Sequence, residues 1–178
     1  MIEAGGACAT SGNNNYMTDI KPAWYQAIYI RRSRRSFEKG RQIEAVIKDR
    51  LHFACHSFRP FSSARVEFIS EPPDDIFANS LGFYSNIKNA PSFFAFIGDM
   101  SYPHIQEKMG YTGEGIILEA TSLGLGTCWV ALSYKAEAVK SMISLDKNEK
   151  VIAVSPVGYS AERWTFEKPD VARFIKSS

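Results

Sequence analysis

Residues 104–126, HIQEKMGYTGEGIILEATSLGLG, constrain the fold more than any other stretch of this chain. Apolar and small side chains run around most of its circumference rather than along one stripe, so a helix here must be covered on several sides. Gly110 and Gly113 weaken its start, and Gly124 or Gly126 can supply a left-handed cap at its end. Glu114 and Glu119 are acids in an otherwise apolar run. Each can be a buried acid near a substrate, although capping or a salt bridge is the more ordinary role.

What surrounds that helix alternates in period. Asp19 followed by Pro22 is a helix-start signal, and the helix should run through AWYQAIYI to the edge of an arginine cluster. A second helix fits 41–56, with Ile43, Val46, Ile47 and Leu51 on one stripe. ARVEFIS (64–70) reads as a strand with Val66 and Phe68 on one face. SFFAFIGD (92–99) reads as a buried strand, and TCWVAL (127–132) as a strand or extended segment. KAEAVKSMI (135–143) is an amphipathic helix, and KVIAVSPVGY (150–159) is a strand ending at Pro156 and Gly158. SEPPDD (70–75) is a loop by its prolines and acids. Helices interleave with strands, so the class is mixed α and β.

Composition narrows the function classes. The chain has 178 residues, 45% hydrophobic and 22% charged, which suits one globular domain with a real core. Residues 1–19 carry little to bury and read as a mobile tail, leaving one domain over 20–178. No run approaches the ~18–20 apolar residues of a membrane span, and no basic segment precedes an apolar block as in a secretory signal. Cys8, Cys55 and Cys128 lack the number and spacing of a disulfide framework or zinc site. His52 and His56 are four apart on an expected helix, a spacing that can hold a metal, but no third ligand follows. The expectation is a cytoplasmic protein without a metal.

RRSRRSF (31–37) concentrates Arg31, Arg32, Arg34 and Arg35 in a chain whose net charge is only +2. Three roles suit such a run. It can be a solvated charge cluster, a surface that neutralises nucleic-acid phosphates, or a claw for one phosphate. In the claw, arginine forks and a serine hydroxyl donate to the same oxygens. Acids and bases balance elsewhere, which weighs against an extended nucleic-acid face.

AIYIRRSRRSF resembles the opening of the nitroreductase superfamily of flavoproteins. GYTGEGIILEATSLGLGTCWVAL is similar to the superfamily's central helix and the segment passing the flavin, and AVSPVGY to its terminal strand and Pro-x-Gly-Tyr turn. Together they cover roughly residues 20–160, and the likeness is strongest to a branch carrying GYTGEG…LGLGTCW. The resemblance implies an α/β (α+β) nitroreductase-like fold, a central, mostly antiparallel sheet flanked by helices. It also implies a homodimer binding FMN, with NAD(P)H as reductant and a nitroaromatic, quinone or similar small molecule as acceptor. No catalytic side chain is required, because the flavin carries the chemistry.

By that resemblance, Arg31, Arg32, Ser33 and Arg35 contact the FMN phosphate or ribityl chain, while Arg34 faces the other side of an extended segment. Cys128, Trp129, Val130 and Ala131 lie beside the ring, with the N–H groups of Val130 and Ala131 as donors toward its N5 region. Trp129 packs near the ring or is a plain core aromatic. Cys128 is a conceivable nucleophile, but no base is near it in sequence and buried cysteines are ordinarily inert. Arg163, Lys168 and Arg173 are candidates for a further phosphate contact. Two departures stand out. CHSFRPFSSARVEF occupies the place where many members carry Asn-x-Gln-Pro-Trp, and the sequence ends at VARFIKSS, where the similar branch has a further C-terminal portion. They open an alternative, a non-catalytic relative that serves as a flavin-binding or flavin-free interaction protein.

Overall fold

The computed structural model of the chain describes residues 21–73, 76–77, 87–132 and 134–162. The expected tail and Asp19, together with Arg163, Lys168 and Arg173, lie outside the described residues. Helix α1 (Pro22–Ile30) begins with Lys21 at the cap position in extended geometry and Pro22 in its first turn, where a fixed φ and missing N–H do no harm. Trp24 and Ala27 face inward, whereas Tyr25, Ile28 and Tyr29 stand exposed.

Helix α2 (Ala45–Ser57) starts later than the stripe suggested. Residues 38–41 instead make a turn in which the Arg41 N–H bonds the Glu38 carbonyl at 3.2 Å, and the Glu44 carbonyl accepts the first helical N–H groups from Ile47 and Lys48. Ile43 and Leu51 are buried and Ile47 packs against the same core, but Val46 is 74% exposed. Position 46 lies about 100° around the helix from Ile47, off the inward stripe.

Strands β1 (Ala64–Ser70), β2 (Ser92–Asp99), β3 (Gly126–Thr127) and β4 (Glu149–Gly158) form an antiparallel sheet in the order β1-β2-β4-β3. On β1, Ala64, Val66 and Phe68 alternate inward, the pattern of a strand with one wet face. On central β2, both faces are covered. Phe94 and Phe96 join the core made with α1, α2 and α3. Phe93 and Ala95 join a second core with Val130, Val139 and Val154. Full burial of such side chains stabilises by about 1.5–3 kcal/mol each, more than the rotamer entropy they lose. Helix α4 (Ala136–Ser141) supplies Val139 to that second face.

Helix α3 (Ile105–Ser122) is buried along most of its length. It ends at Gly124, whose φ of 79° suits a residue without Cβ. The Gly124 N–H bonds Thr121 O and the Leu125 N–H bonds Ala120 O, both at 3.0 Å, which is the Schellman arrangement. This turn delivers the chain into β3.

The strand expected over 127–132 is interrupted for an identifiable reason. Thr127 pairs with Val157, and Val130 pairs with Val154 in the same register. Between them Cys128 faces Pro156, which has no N–H for the ladder. The Cys128 carbonyl therefore has no ladder donor opposite it, and the Cys128 N–H goes to the Ser155 hydroxyl at 3.1 Å.

Candidate functional site

The arginine segment leaves α1 in extended conformation and lies beside β3. Ser33 bridges Thr127 in parallel sense, and the Arg34 N–H bonds the Thr127 carbonyl at 2.7 Å. Further along, Arg35 O accepts from Lys88 N at 2.8 Å, and Phe37 is buried against the end of β4. The two stretches singled out in sequence, 31–35 and 128–131, are therefore neighbours in space.

Alternation along the segment sorts the side chains. Ser33 and Arg35 are exposed, and among the described residues neither side chain has a hydrogen-bond partner. Arg31 is partly buried, its Nε paired with Glu114 Oε1 at 3.1 Å, while its Nη1 is buried with no partner among the described residues. Arg32 turns back on the chain, donating from Nη1 to the carbonyls of Tyr29 and Arg31 at 3.0 and 2.7 Å. Arg34 pairs with Glu162 at 3.3 Å and lies against Gly126. Arg31, Arg32 and Arg34 line a cleft of about 180 Å³ closed by Thr121, Gly126 and Glu162. Arg32 thus keeps company with Arg34 rather than with Ser33 and Arg35.

The second segment is held from both sides of the sheet. Cys128 is buried, and among the described residues its thiol has the Trp129 carbonyl at 3.6 Å as its one hydrogen-bond partner, a packing role rather than that of an activated nucleophile. The Trp129 ring stacks on Phe96 with centroids 4.0 Å apart, and its Nε1 donates to Glu114 Oε2 at 2.8 Å. Gly113 makes this approach possible, because a Cβ there would sit 2.4 Å from the indole. Val130 donates its N–H to Val154 O at 2.9 Å. That N–H is engaged in the sheet, so of the two expected backbone donors only Ala131, which is exposed, is not committed to the ladder.

Neither Glu114 nor Glu119 is idle. Glu119, with a side chain 0% exposed, accepts from Trp24 Nε1 at 2.6 Å, Arg50 Nε at 3.0 Å and Lys21 Nζ at 3.1 Å. Burial pushes its carboxyl up, but the hydrogen bonds from Trp24, Arg50 and Lys21 outweigh that and hold it below its ordinary value. Trp24, Phe58, Tyr111, Glu114, Gly115 and Leu118 surround an apolar cavity of about 120 Å³. Tyr159 of the Pro-x-Gly-Tyr turn hydrogen-bonds Glu44 and lies under the Arg41 guanidinium at 3.7 Å. The His52 ring packs edge-on against Phe68, and among the described residues no group of three His, Cys, Asp or Glu side chains is placed to hold a metal ion.

A family model described as "Putative TM nitroreductase" matches residues 23–176. The chain belongs to that nitroreductase family. Solved structures agree on the fold. A "Putative NADH dehydrogenase/NAD(P)H nitroreductase" from Bacteroides thetaiotaomicron is 22% identical, with a TM-score of 0.63, covering 85% of this chain and 96% of that one. An FMN-dependent nitroreductase from Clostridium difficile is 19% identical, with a TM-score of 0.60 and coverage of 83% and 95%. A nitroreductase with bound FMN from Bacteroides fragilis is 19% identical, with a TM-score of 0.61 and coverage of 82% and 92%. No curated protein matches the chain.

For this nitroreductase-family chain, the sequence missed Glu114 as the acid joining the two candidate segments. The signal was present in GYTGEG: an acid between two glycines of a buried helix leaves room for large neighbours on both sides of it. Gly115, like Gly113, is such a gap, filled by Phe58. Among the described residues no helix is long and apolar enough to cross a membrane.

Proposed function

We propose that this chain is a single nitroreductase-like domain that binds FMN along 31–35 and 128–131. It acts there as an NAD(P)H-dependent oxidoreductase on a small acceptor such as a nitroaromatic or quinone. The observation that carries the proposal is the bridge from Ser33 to Thr127, which sets the arginine segment beside the chain entering 128–131. FMN bound in a Bacteroides fragilis neighbour, and the NAD(P)H named for one from Bacteroides thetaiotaomicron, support the cofactor and the reductant.

The residues fit that cofactor. Arg31 Nη1 and Thr127 Oγ1 are buried with no partner among the described residues, an arrangement that costs about 1–3 kcal/mol per group unless a ligand satisfies it. Ser33 and Arg35 add exposed donors on the same extended segment. Two arginine forks and a hydroxyl match phosphate oxygens, with Arg32 close by. The resemblance makes Lys168 and Arg173 candidates for the same phosphate, and GYTGEG…LGLGTCW supports assignment to the branch that carries this motif. FMN in this site would supply a two-electron carrier, taking hydride from NAD(P)H and yielding electrons to the acceptor. Ala131 offers a backbone donor at the ring edge, and Trp129 and Cys128 keep water from the side of the segment that faces the core.

A homodimer belongs to the proposal. Tyr25, Ile28 and Tyr29 expose an apolar face of α1, the kind of surface that marks an interface. A small-molecule partner is favoured over nucleic acid because Arg31, Arg34 and Arg41 are each already paired with a glutamate. Buried free thiols at Cys55 and Cys128 suit the reducing cytoplasm. A second reading, a non-catalytic relative, is favoured by the Val130 N–H being committed to Val154.

The deciding experiment is the visible spectrum of the purified protein after adding FMN and removing the excess. Retained flavin bands that bleach with NAD(P)H are the expected result. A colourless protein that refuses FMN overturns the proposal, and flavin that stays oxidised under NAD(P)H leaves the non-catalytic relative.

A further inference from the structure

Glu114 stands in α3 with its two carboxylate oxygens engaged by different parts of the chain. Oε1 forms an ion pair with Arg31 Nε at 3.1 Å, and Oε2 accepts a hydrogen bond from Trp129 Nε1 at 2.8 Å. Arg31 closes α1 and opens the arginine segment, whereas Trp129 belongs to the segment after β3. One acid on the rigid central helix therefore ties together both stretches on which the FMN proposal rests.

The geometry at Arg31 shows what this tie does. A guanidinium is planar, so fixing its Nε edge fixes the direction of the opposite nitrogens. With Nε paired to Glu114, Nη1 is left buried with no partner among the described residues. A donor placed that way is oriented before any ligand arrives, which lowers the ordering cost of binding. On the other side, Gly113 lets the indole lie close to the helix so that its N–H reaches the same carboxylate.

We infer that Glu114 is a positioning residue for the FMN site, holding Arg31 toward the phosphate and the 128–131 segment in register with it. Glu114 touches neither ring nor phosphate in this scheme and acts through its two partners. The inference rests on the FMN reading and deepens it.

The test is a thermodynamic cycle on FMN affinity, read by flavin fluorescence quenching in wild type, Glu114→Ala, Arg31→Ala and the double variant. Misorienting a charge-assisted donor weakens FMN binding by about tenfold or more in Glu114→Ala. Because Glu114 acts partly through Arg31 and partly through Trp129, the loss in the double variant should be at least about threefold smaller than the product of the two single losses. The tryptophan emission of the apoprotein should also shift in Glu114→Ala, since the Trp129 N–H is then without its acceptor. Should Glu114→Ala fail to fold, Glu114→Gln takes its place: its amide oxygen accepts only one of the two donors and its NH2 faces the other, so FMN affinity should still fall by about threefold or more and by less than a multiplicative amount when combined with Arg31→Ala. Wild type that binds FMN alongside an unaffected Glu114 variant, or two effects that multiply, overturns this inference alone. Wild type that binds no FMN overturns it together with the reading beneath it.

Discussion

The Trp24 indole N–H donates to the Glu119 carboxylate at 2.6 Å across 95 positions of sequence, joining the first turn of α1 to the last part of α3. Lys21 and Arg50 meet the same side chain, so a fully buried acid collects donors from near α1 and from α2. Removing its charge leaves these donors with a weaker acceptor. Glu119→Gln should therefore lower stability by about 2 kcal/mol. For a chain of this size that is a fall in melting temperature of roughly 4–8 °C. Thermal denaturation by circular dichroism measures it, and an unchanged midpoint would show that the cluster contributes nothing.

The same residue sets a pH dependence. Its carboxyl is held below the ordinary value of 4.5 in the folded state. A depressed folded value means that its stabilisation is complete above about pH 4.5 and is lost as pH falls through the lower folded value. Glutamine cannot titrate. The stability gap between wild type and Glu119→Gln should thus be constant near neutrality and close as the solution is acidified below about pH 4.5. Urea midpoints at a series of pH values test this, and a gap that persists in acid would assign the effect to packing instead.

Much of this architecture was legible in sequence because the signals are local. SFFAFIGD is a continuous apolar run and became β2 with the expected ends, and ARVEFIS alternates and became β1. The errors arose where residue spacing alone does not decide. Val46 fits a stripe by spacing but lies outside, because a turn at 38–41 sets where α2 begins. TCWVAL has strand composition, yet its ladder breaks opposite Pro156, a residue far along the chain. The candidate site divides in the same way. The extended arginine segment could be seen, and GYTGEG carried a signal of large neighbours packed around Glu114, but which neighbours they are, Arg31 and Trp129, depends on three elements meeting.

Two glycines of α3 should respond oppositely to alanine. At Gly113 a Cβ would lie 2.4 Å from Trp129 and 3.0 Å from Phe96, so Gly113→Ala should cost about 1–3 kcal/mol through overpacking. It should also shift Trp129 fluorescence as the indole is pushed from Glu114. At exposed Gly110 a Cβ meets nothing within 4 Å, and Gly110→Ala should stabilise by about 0.5–1 kcal/mol through helix propensity. Equal effects at the two positions would mean that close packing against α3 is not what requires Gly113.

Arg34 and Arg35 are adjacent, yet the structure gives them different work. Arg34 pairs with Glu162 at 3.3 Å and rests on Gly126, so its charge is already matched. Arg35 is exposed without a partner among the described residues, as a donor awaiting an anion would be. Under the FMN proposal, Arg35→Ala should weaken FMN by about tenfold to a hundredfold, the effect of removing a charge-assisted hydrogen bond of roughly 1.5–3 kcal/mol. Riboflavin, which has no phosphate, should bind both variants about as it binds wild type. Arg34→Ala should leave FMN affinity within about threefold, since an exposed pair contributes under about 1 kcal/mol. Titration of both flavins against both variants settles which side of the segment faces the ligand. If Arg34→Ala proves the damaging change, the phosphate sits instead in the cleft that Arg34 shares with Arg31 and Arg32.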